Sequence, residues 1–242
     1  MLEYLAGVHR LYDRYFIYIL GGAGATVLLT IASVGIGFVV GTFIALGRLS
    51  TNRIASRAAS AYVTFFRGTP LLVQLLLVYM GLPLIIGMPI ERWPAAITAL
   101  SMNSAAYVAE IVRAGIQSVE RGQREAGLAI GLRPHQVMLL IVFPQAFRRI
   151  VPPLGNEFIA MLKDSSLVSV IALEDLLRRA QIAVTRSFRP IEIYGLIAVI
   201  YLIMTSMVSH LVTRVERRLA ADGSGADSGI RTNGHNKGKL SS

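Results

Sequence analysis

Tyr15–Gly47 reads YFIYILGGAGATVLLTIASVGIGFVVGTFIALG, thirty-three residues without an Asp, Glu, Lys or Arg. A helix needs about 20 apolar residues to cross the hydrocarbon of a bilayer, and this stretch exceeds that length. Further charge-free runs follow: Gly68–Ile90 (23 residues), Trp93–Ala109 (17) and Ile193–Thr213 (21). Soluble domains seldom carry several runs of that kind. Composition agrees. The 242 residues are 54% hydrophobic and 16% charged, with mean hydropathy +0.58. Ordinary soluble domains sit nearer 45–50% apolar and about 25% charged.

The pattern predicts an all-α integral membrane protein with five transmembrane helices over about 20–47, 58–82, 94–113, 150–173 and 192–213. Glu3 and Asp13 precede the first run, which is too long for a signal-peptide core, so that run is expected to be retained. Residues 1–19 are read as an outer N-terminal segment, with a short Tyr-rich interfacial helix over 1–18. Residues 20–215 form the membrane domain. Residues 216–242 are expected to be a disordered cytoplasmic tail, since Gly, Ser and Asn dominate their far end.

Basic residues set the orientation, because Lys and Arg concentrate in cytoplasmic loops. With the N-terminus outside, the inner segments 48–67, 111–150 and 214–242 carry sixteen Lys and Arg, and the outer segments carry seven. The reading is N-out, C-in. The exception is 174–192, whose four arginines face outward. The net charge of +10 is thereby assigned to cytoplasmic loops rather than to nucleic acid. The chain has no cysteine, which excludes disulfides and thiolate metal sites. Its four histidines show no ligand spacing, so no metal site is expected.

The inner segment before the fourth span contains Gly122–Pro144, GQREAGLAIGLRPHQVMLLIVFP. A first helix is predicted to end at Gly131, because Gly accepts the left-handed conformation that closes many helices. Pro134 suits the first turn of a second helix. Leu128, Ile130, Leu132, Val137, Leu139 and Leu140 then lie outside the membrane. They must pack on a partner protein or on the chain's own spans.

Spacing in this segment resembles the EAA loop of ATP-binding-cassette (ABC) importer permeases: EAA, three residues, G, nine residues, I, one residue, L, P. Here it reads Glu125-Ala126-Gly127, Gly131, Ile141 and Phe143-Pro144, with Gly127 in place of the third Ala and Phe143 in place of Leu. Arg67-Gly68-Thr69-Pro70-Leu71 and Leu162-Lys163-Asp164-Ser165-Ser166-Leu167 resemble other shared stretches of the polar amino-acid branch. The resemblance covers roughly residues 20–215. It implies a type I ABC importer permease fold in the inner membrane. The implied function is import of an amino acid, polar or cationic by preference. The loop would be a coupling helix docked on a separate ATPase dimer. Arg124 and Glu125 would be rim contacts, and Ala126, Gly127, Leu128, Gly131 and Leu132 the knob, with Pro144 closing the motif. The implied partners are that ATPase, a second permease copy (identical or paralogous), membrane lipid and a periplasmic or lipid-anchored amino-acid-binding protein. No GxxxxGK[ST] pattern occurs, so ATP and Mg are expected on the partner and the chain is not itself an enzyme.

Polar residues at membrane depth are costly and mark functional paths. Three groups qualify. In Arg67-Gly68-Thr69-Pro70, Gly68 breaks the helix, Thr69 can cap and Pro70 suits a first turn. Either this is a half-helix start within span two, whose positive end and Arg67 face a carboxylate, or Arg67 sits at the interface and the span starts at Thr69. Gln74 lies one turn further on. In span three, Asn103, Tyr107 and Glu110 share a face. Asn103 bonds either substrate or a neighbouring helix, and Glu110 is read as a partner of Arg113. In span four, Glu157 and Asp164 share a face beside Lys163, with Asn156, Ser165 and Ser166 adding polar groups. Either they line a path for an ammonium or basic side chain, or they pair within the bundle or with a second copy. An intramembrane enzyme would want paired catalytic groups, and no HExxH, GxSxG or paired-Asp motif occurs. A permease for another solute and a non-transporting scaffold are the remaining alternatives.

Overall fold

A computed structural model of the protein describes the backbone of residues 2–227 and the side chains of residues 14–219. Among them it is helical throughout. The first helix, α1, runs without a break from Leu2 to Leu49. Over residues 2–18, the separate short helix expected at the start is therefore continuous with the helix of the first span, Arg14–Leu49. Asn52 then caps α2 (Arg53–Gly68), its side chain accepting from the N–H groups of Ile54 and Ala55.

Span two is not a straight rod. After α2 come α3 (Leu71–Leu76), a wide π turn (Leu77–Gly81) and α4 (Leu82–Ile86). The chain bends by 106° between the two arms, Arg53–Gly68 and Leu71–Ile86. Gly68, Thr69 and Pro70 make the corner, as the sequence predicts. The register differs by one residue: Thr69 is extended, and Pro70 occupies the cap position rather than the first turn.

The central helix is α5 (Arg92–Gln117), whose Ala, Ser and Val face is buried along most of its length. It packs chiefly on α1. Gly37 and Gly41 permit the close approach. A Cβ on Gly37 would come to 2.8 Å from Ser104, and one on Gly41 to 2.6 Å from the Ala105 carbonyl. Small residues at such crossings replace the hydrophobic drive that is missing in lipid.

The polar excursion contains α6 (Arg121–Ala129) and α7 (Pro134–Val137), with Pro134 in the first turn as expected. Gly131 sits at φ +87. Leu132 N–H bonds to Gly127 O at 3.2 Å and Gly131 N–H to Leu128 O at 3.0 Å, the paired bonds of a glycine-terminated helix. Span four does not start afresh near residue 150. A second π turn (Met138–Val142) joins α7 to α8 (Phe143–Asp164), which tightens into a 3-10 turn over Ser165–Ile171. The path from Pro134 to Ile171 is thus one 38-residue helical rod. Arg148 and Arg149 within it make the sequence read as a loop.

The chain ends in α9 (Leu176–Ser187) and α10 (Pro190–Asp227). The tail expected to be disordered from residue 216 is helical to 227, consistent with the helix-forming run Val215–Ala221. Its remainder lies outside the described residues. Among the described residues, four helices are long and apolar enough to cross a membrane, and the bent pair makes five.

Helix α9 lies outside these spans and docks on α1 where Gly22 meets backbone; a Cβ there would lie 2.8 Å from the Asp175 carbonyl. Thr26 Oγ1 accepts from Leu176 N–H at 3.2 Å. Asp175 caps α9 by accepting from Arg178 N–H at 2.8 Å, yet it is fully buried and its Oδ2 has no partner. Burial pushes its carboxyl up to about 6. The folded chain therefore holds this proton more tightly than the unfolded one. The stability it contributes is present at low pH, declines as pH rises from about 4 to about 6 and then levels off. Asp175→Asn keeps a capping oxygen and removes the charge. It is expected to raise the melting temperature of the detergent-purified protein at pH 7.5, with the advantage shrinking towards pH 4; thermal unfolding at the two pH values checks this.

Candidate functional site

The corner of span two creates orphaned backbone groups at membrane depth, where water cannot pair them. Side chains answer. Thr69 Oγ1 donates to Phe65 O at 2.8 Å. Gln74 Nε2 donates to Phe66 O at 2.9 Å, to Thr69 O at 3.0 Å and to Thr69 Oγ1 at 2.8 Å. Asn103 of α5 reaches across, its Nδ2 donating to Gln74 Oε1 at 3.0 Å and to Phe66 O at 3.4 Å. Both amides are buried, at 3% and 5% exposure. Of the two roles open to Asn103, the structure shows the helix-to-helix bond. Gln74 and Asn103 stitch the corner to α5 rather than facing open space.

What the stitch presents is Arg67. It lies in the last turn of α2, is exposed, and its guanidinium lies 5.2 Å from the ring centroid of the exposed Tyr107. A cation over an aromatic face in this way is held by the ring quadrupole. Gly68 and Pro70 are exposed beside it, and a Cβ on Gly68 would meet nothing within 4 Å, so Gly68 serves the corner and not packing.

From α8, Glu157 points inward at 9% exposure. Its carboxyl neighbours the Ser104 hydroxyl of α5 and lies within the electrostatic reach of Arg67 and Asp164. Asp164 is exposed at the end of α8 next to exposed Lys163, which acts on it as a counter-charge. The structure thus sets Arg67 over Tyr107 and holds Glu157 within the electrostatic reach of both Arg67 and Asp164. Ser165 does not join them. It is buried and its hydroxyl donates to Leu162 O at 2.8 Å, bonding the helix end. Ser104 was missed in the sequence, where it sits in a run of small residues. Glu110 pairs with Arg113 as expected, and also with Arg48 at the end of α1.

The second set of residues lies on α6. Glu125, Ala126, Leu128 and Ile130 are exposed, Ile130 at 77%, so apolar side chains stand free at the end of α6. Gly127 faces the other way and is buried; a Cβ there would lie 2.6 Å from Ile141 Cδ1 and 3.0 Å from Val137 Cγ2. That contact accounts for Gly where the motif has Ala. Leu132 also packs inward, against the cluster around Val137 and Val142. Arg124 is half-buried, and its Nη2 donates to Ile116 O at 2.9 Å, tying α6 to the end of α5. Gly131 remains at the exposed turn, and Pro144 is exposed in the first turn of α8.

Residues 16–221 match the family described as binding-protein-dependent transport system inner membrane components. The arginine transport system permease protein of Bacillus subtilis (strain 168) is 39% identical over 205 residues, covering 85% of this chain and 94% of that one. The glutamine transport system permease protein of Escherichia coli (strain K12) is 37% identical over 199 residues, covering 82% and 91%. Among solved structures, an amino acid ABC transporter crystallised with histidines superposes with TM-score 0.82 at 46% identity, over 85% of this chain and 96% of that one.

The stitch makes a sharp energetic prediction. Gln74→Leu leaves the Thr69 carbonyl unpaired and leaves Asn103 and Phe66 O only the 3.4 Å bond between them, at an expected cost of about 1–3 kcal/mol. Replacing both amides by Leu is expected to cost less than the sum of the single changes, with a coupling of about 0.5–2 kcal/mol. A double-mutant cycle on denaturant unfolding in detergent measures the difference.

Proposed function

The chain belongs to the family of binding-protein-dependent transport system inner membrane components, and from that premise we propose that it passes a cationic or zwitterionic amino acid between Arg67 and the Glu157–Asp164 face. It is a multi-pass membrane permease subunit of an amino-acid ABC importer. ATP hydrolysis belongs to a separate subunit, and a substrate-binding protein delivers the solute.

The observation that carries the proposal is the arrangement of charge. An α-amino acid presents one carboxylate and one ammonium. Arg67, held over Tyr107, is a cation suited to the first. Glu157 and Asp164 on α8 are two acids suited to the second and to a basic side chain. A substrate with two cationic groups uses both acids, so arginine-like or lysine-like solutes fit better than neutral ones. Chemistry of this kind requires no bond to break. Selectivity comes from differential pairing in a site shielded from bulk water.

Two copies of the chain, or this chain and a paralogue, complete the path, since five spans enclose little space alone. The orientation is N-out and C-in, which places α6 in the cytoplasm of the cell whose inner membrane holds the complex. There the exposed apolar end of α6, with Ala126, Leu128 and Ile130, inserts into the ATPase, with Glu125 beside it. The ATP and its Mg stay on that partner.

Reconstitution with the ATPase and binding protein in proteoliposomes tests the substrate reading. ATP-driven uptake of radiolabelled arginine or lysine is expected, with Asp164→Asn lowering it about tenfold, equivalent to about 1.4 kcal/mol, and glutamine uptake changing less. Absence of ATP-driven uptake of every amino acid would falsify the proposal. For the coupling role, Glu125→Arg is expected to weaken co-purification of the ATPase and cut uptake at least several-fold while the permease still reaches the membrane. Normal uptake and normal assembly would assign that role elsewhere.

A further inference from the structure

Between α1 and α10 runs a groove of about 600 Å³ whose floor is α8. The two walls scarcely meet each other at this level, while α8 touches both. The lining is apolar from end to end, with Ile31 and Phe38 on α1, Phe147 and Phe158 on α8, and Leu211 and Val215 on α10. Two glycines shape it. Gly155 lets α8 press against Val212 of α10, and Gly35 leaves the α1 wall open, since a Cβ there would meet nothing within 4 Å. Ile31, Phe38, Phe147 and Leu211 remain 41–62% exposed. All three elements are membrane spans, so hydrocarbon and not water is the surrounding medium.

One end of the groove is strongly basic. Gly155 and Val212 face each other on antiparallel helices, so residues before Gly155 and after Val212 run towards the same end. Arg148 lies seven residues before Gly155 and Arg218 six after Val212, about 10 Å and about 9 Å along the axes at 1.5 Å per residue. Arg148 adjoins the lining residue Phe147, and Arg218 follows Val215 by one turn. Both are exposed, and neither forms an ion pair among the described residues. Arg214 and Arg217 stand on the same helical turns, against the single acid Glu216.

We propose that this groove is a binding site for one anionic phospholipid, its acyl chain lying between α1 and α10 and its phosphate held by Arg148 and Arg218. The charge decides the occupant. A transmembrane helix from a second copy would fill the apolar part and leave the arginines unanswered. A zwitterionic lipid would cancel most of the attraction. An anionic headgroup is attracted by each nearby Lys or Arg, and guanidinium–phosphate pairs add directed hydrogen bonds. The site concerns neither Arg67 nor the acids of α8, so it stands apart from the substrate reading.

The experiment uses the permease assembled with its ATPase, purified in detergent and examined by native mass spectrometry after exposure to phosphatidylglycerol and phosphatidylcholine in equal amounts. The wild type is expected to retain phosphatidylglycerol over phosphatidylcholine by at least fivefold. Gly35→Phe fills the wall and is expected to lose the bound lipid. Arg148→Gln with Arg218→Gln, a surface change that leaves the packing intact, is expected to keep an acyl chain and lose the headgroup preference. Retention of both lipids equally by the wild type, or an unchanged preference in the arginine pair variant, overturns the proposal. So does a disulfide between copies formed by Gly35→Cys and Leu211→Cys, introduced into a chain with no native cysteine, because it would place a second copy in the groove.

Discussion

A carbonyl with nowhere to go governs this fold. Bending a membrane span by 106° strips the last turn of α2 of its helical partners, and hydrocarbon offers no water in exchange. The bend persists because Gln74 and Asn103 converge on Phe66 O, and because Thr69 folds its hydroxyl back to Phe65 O. The same bonds fix the corner against α5, and α5 in turn carries Tyr107, over which Arg67 is laid. Without the bend, Arg67 would continue along a straight helix and turn with its register. The polar stitch therefore does two things with one set of atoms: it satisfies the backbone, and it aims a cation.

The contact between α1 and α5 serves the same end by opposite means. Gly37 and Gly41 contribute nothing polar; they contribute the absence of a side chain. Backbone closeness brings Ser104 to the edge of the packing seam, where it meets Glu157 from α8. Small residues thus bring three helices to one place, and only then can a buried acid and an exposed arginine act in one field. Each feature is weak alone. A lone Glu at membrane depth would be expensive, and its tolerance depends on the neighbours that the packing supplies.

The spans were legible in the sequence because length and apolarity are local properties. The corner was legible too, since Gly68 and Pro70 announce it without help from the rest of the chain. So was the Gly131 turn with Pro134 after it. The continuity of Pro134–Ile171 was not. Arg148, Arg149 and four prolines give that stretch the look of a loop, while its helical course comes from packing of Val142, Ala146 and Ile150 in a cluster with α1 and α5. The facing of polar residues was hidden for the same reason. Asn103 and Tyr107 share a helix face by count, yet one is buried and the other exposed, because only the first has an orphaned carbonyl opposite it. Arg124 reads as a surface charge in any sequence, and its bond to Ile116 O exists only once α6 has folded back on α5.

Continuity of the rod changes how the two sets of functional residues relate. Gly127 of α6 rests on Ile141 and Val137, which belong to the same rod that carries Glu157 and Asp164 further along. If a partner acts on α6 as proposed, a push there reaches the start of the helix that ends among the acids, without a flexible linker between. The rod is not uniformly stiff. Pro152 and Pro153 lie inside α8 and cannot donate backbone hydrogen bonds to the preceding turn. They fall between the contact with α6 and Glu157. A displacement at α6 would then be divided, part carried along the axis and part taken up as a change of angle at the prolines. Since Arg67 is anchored on a different element, through the corner and α5, any such change alters the separation between the cation and the acids. The mechanical and the electrostatic halves of the site meet at that separation.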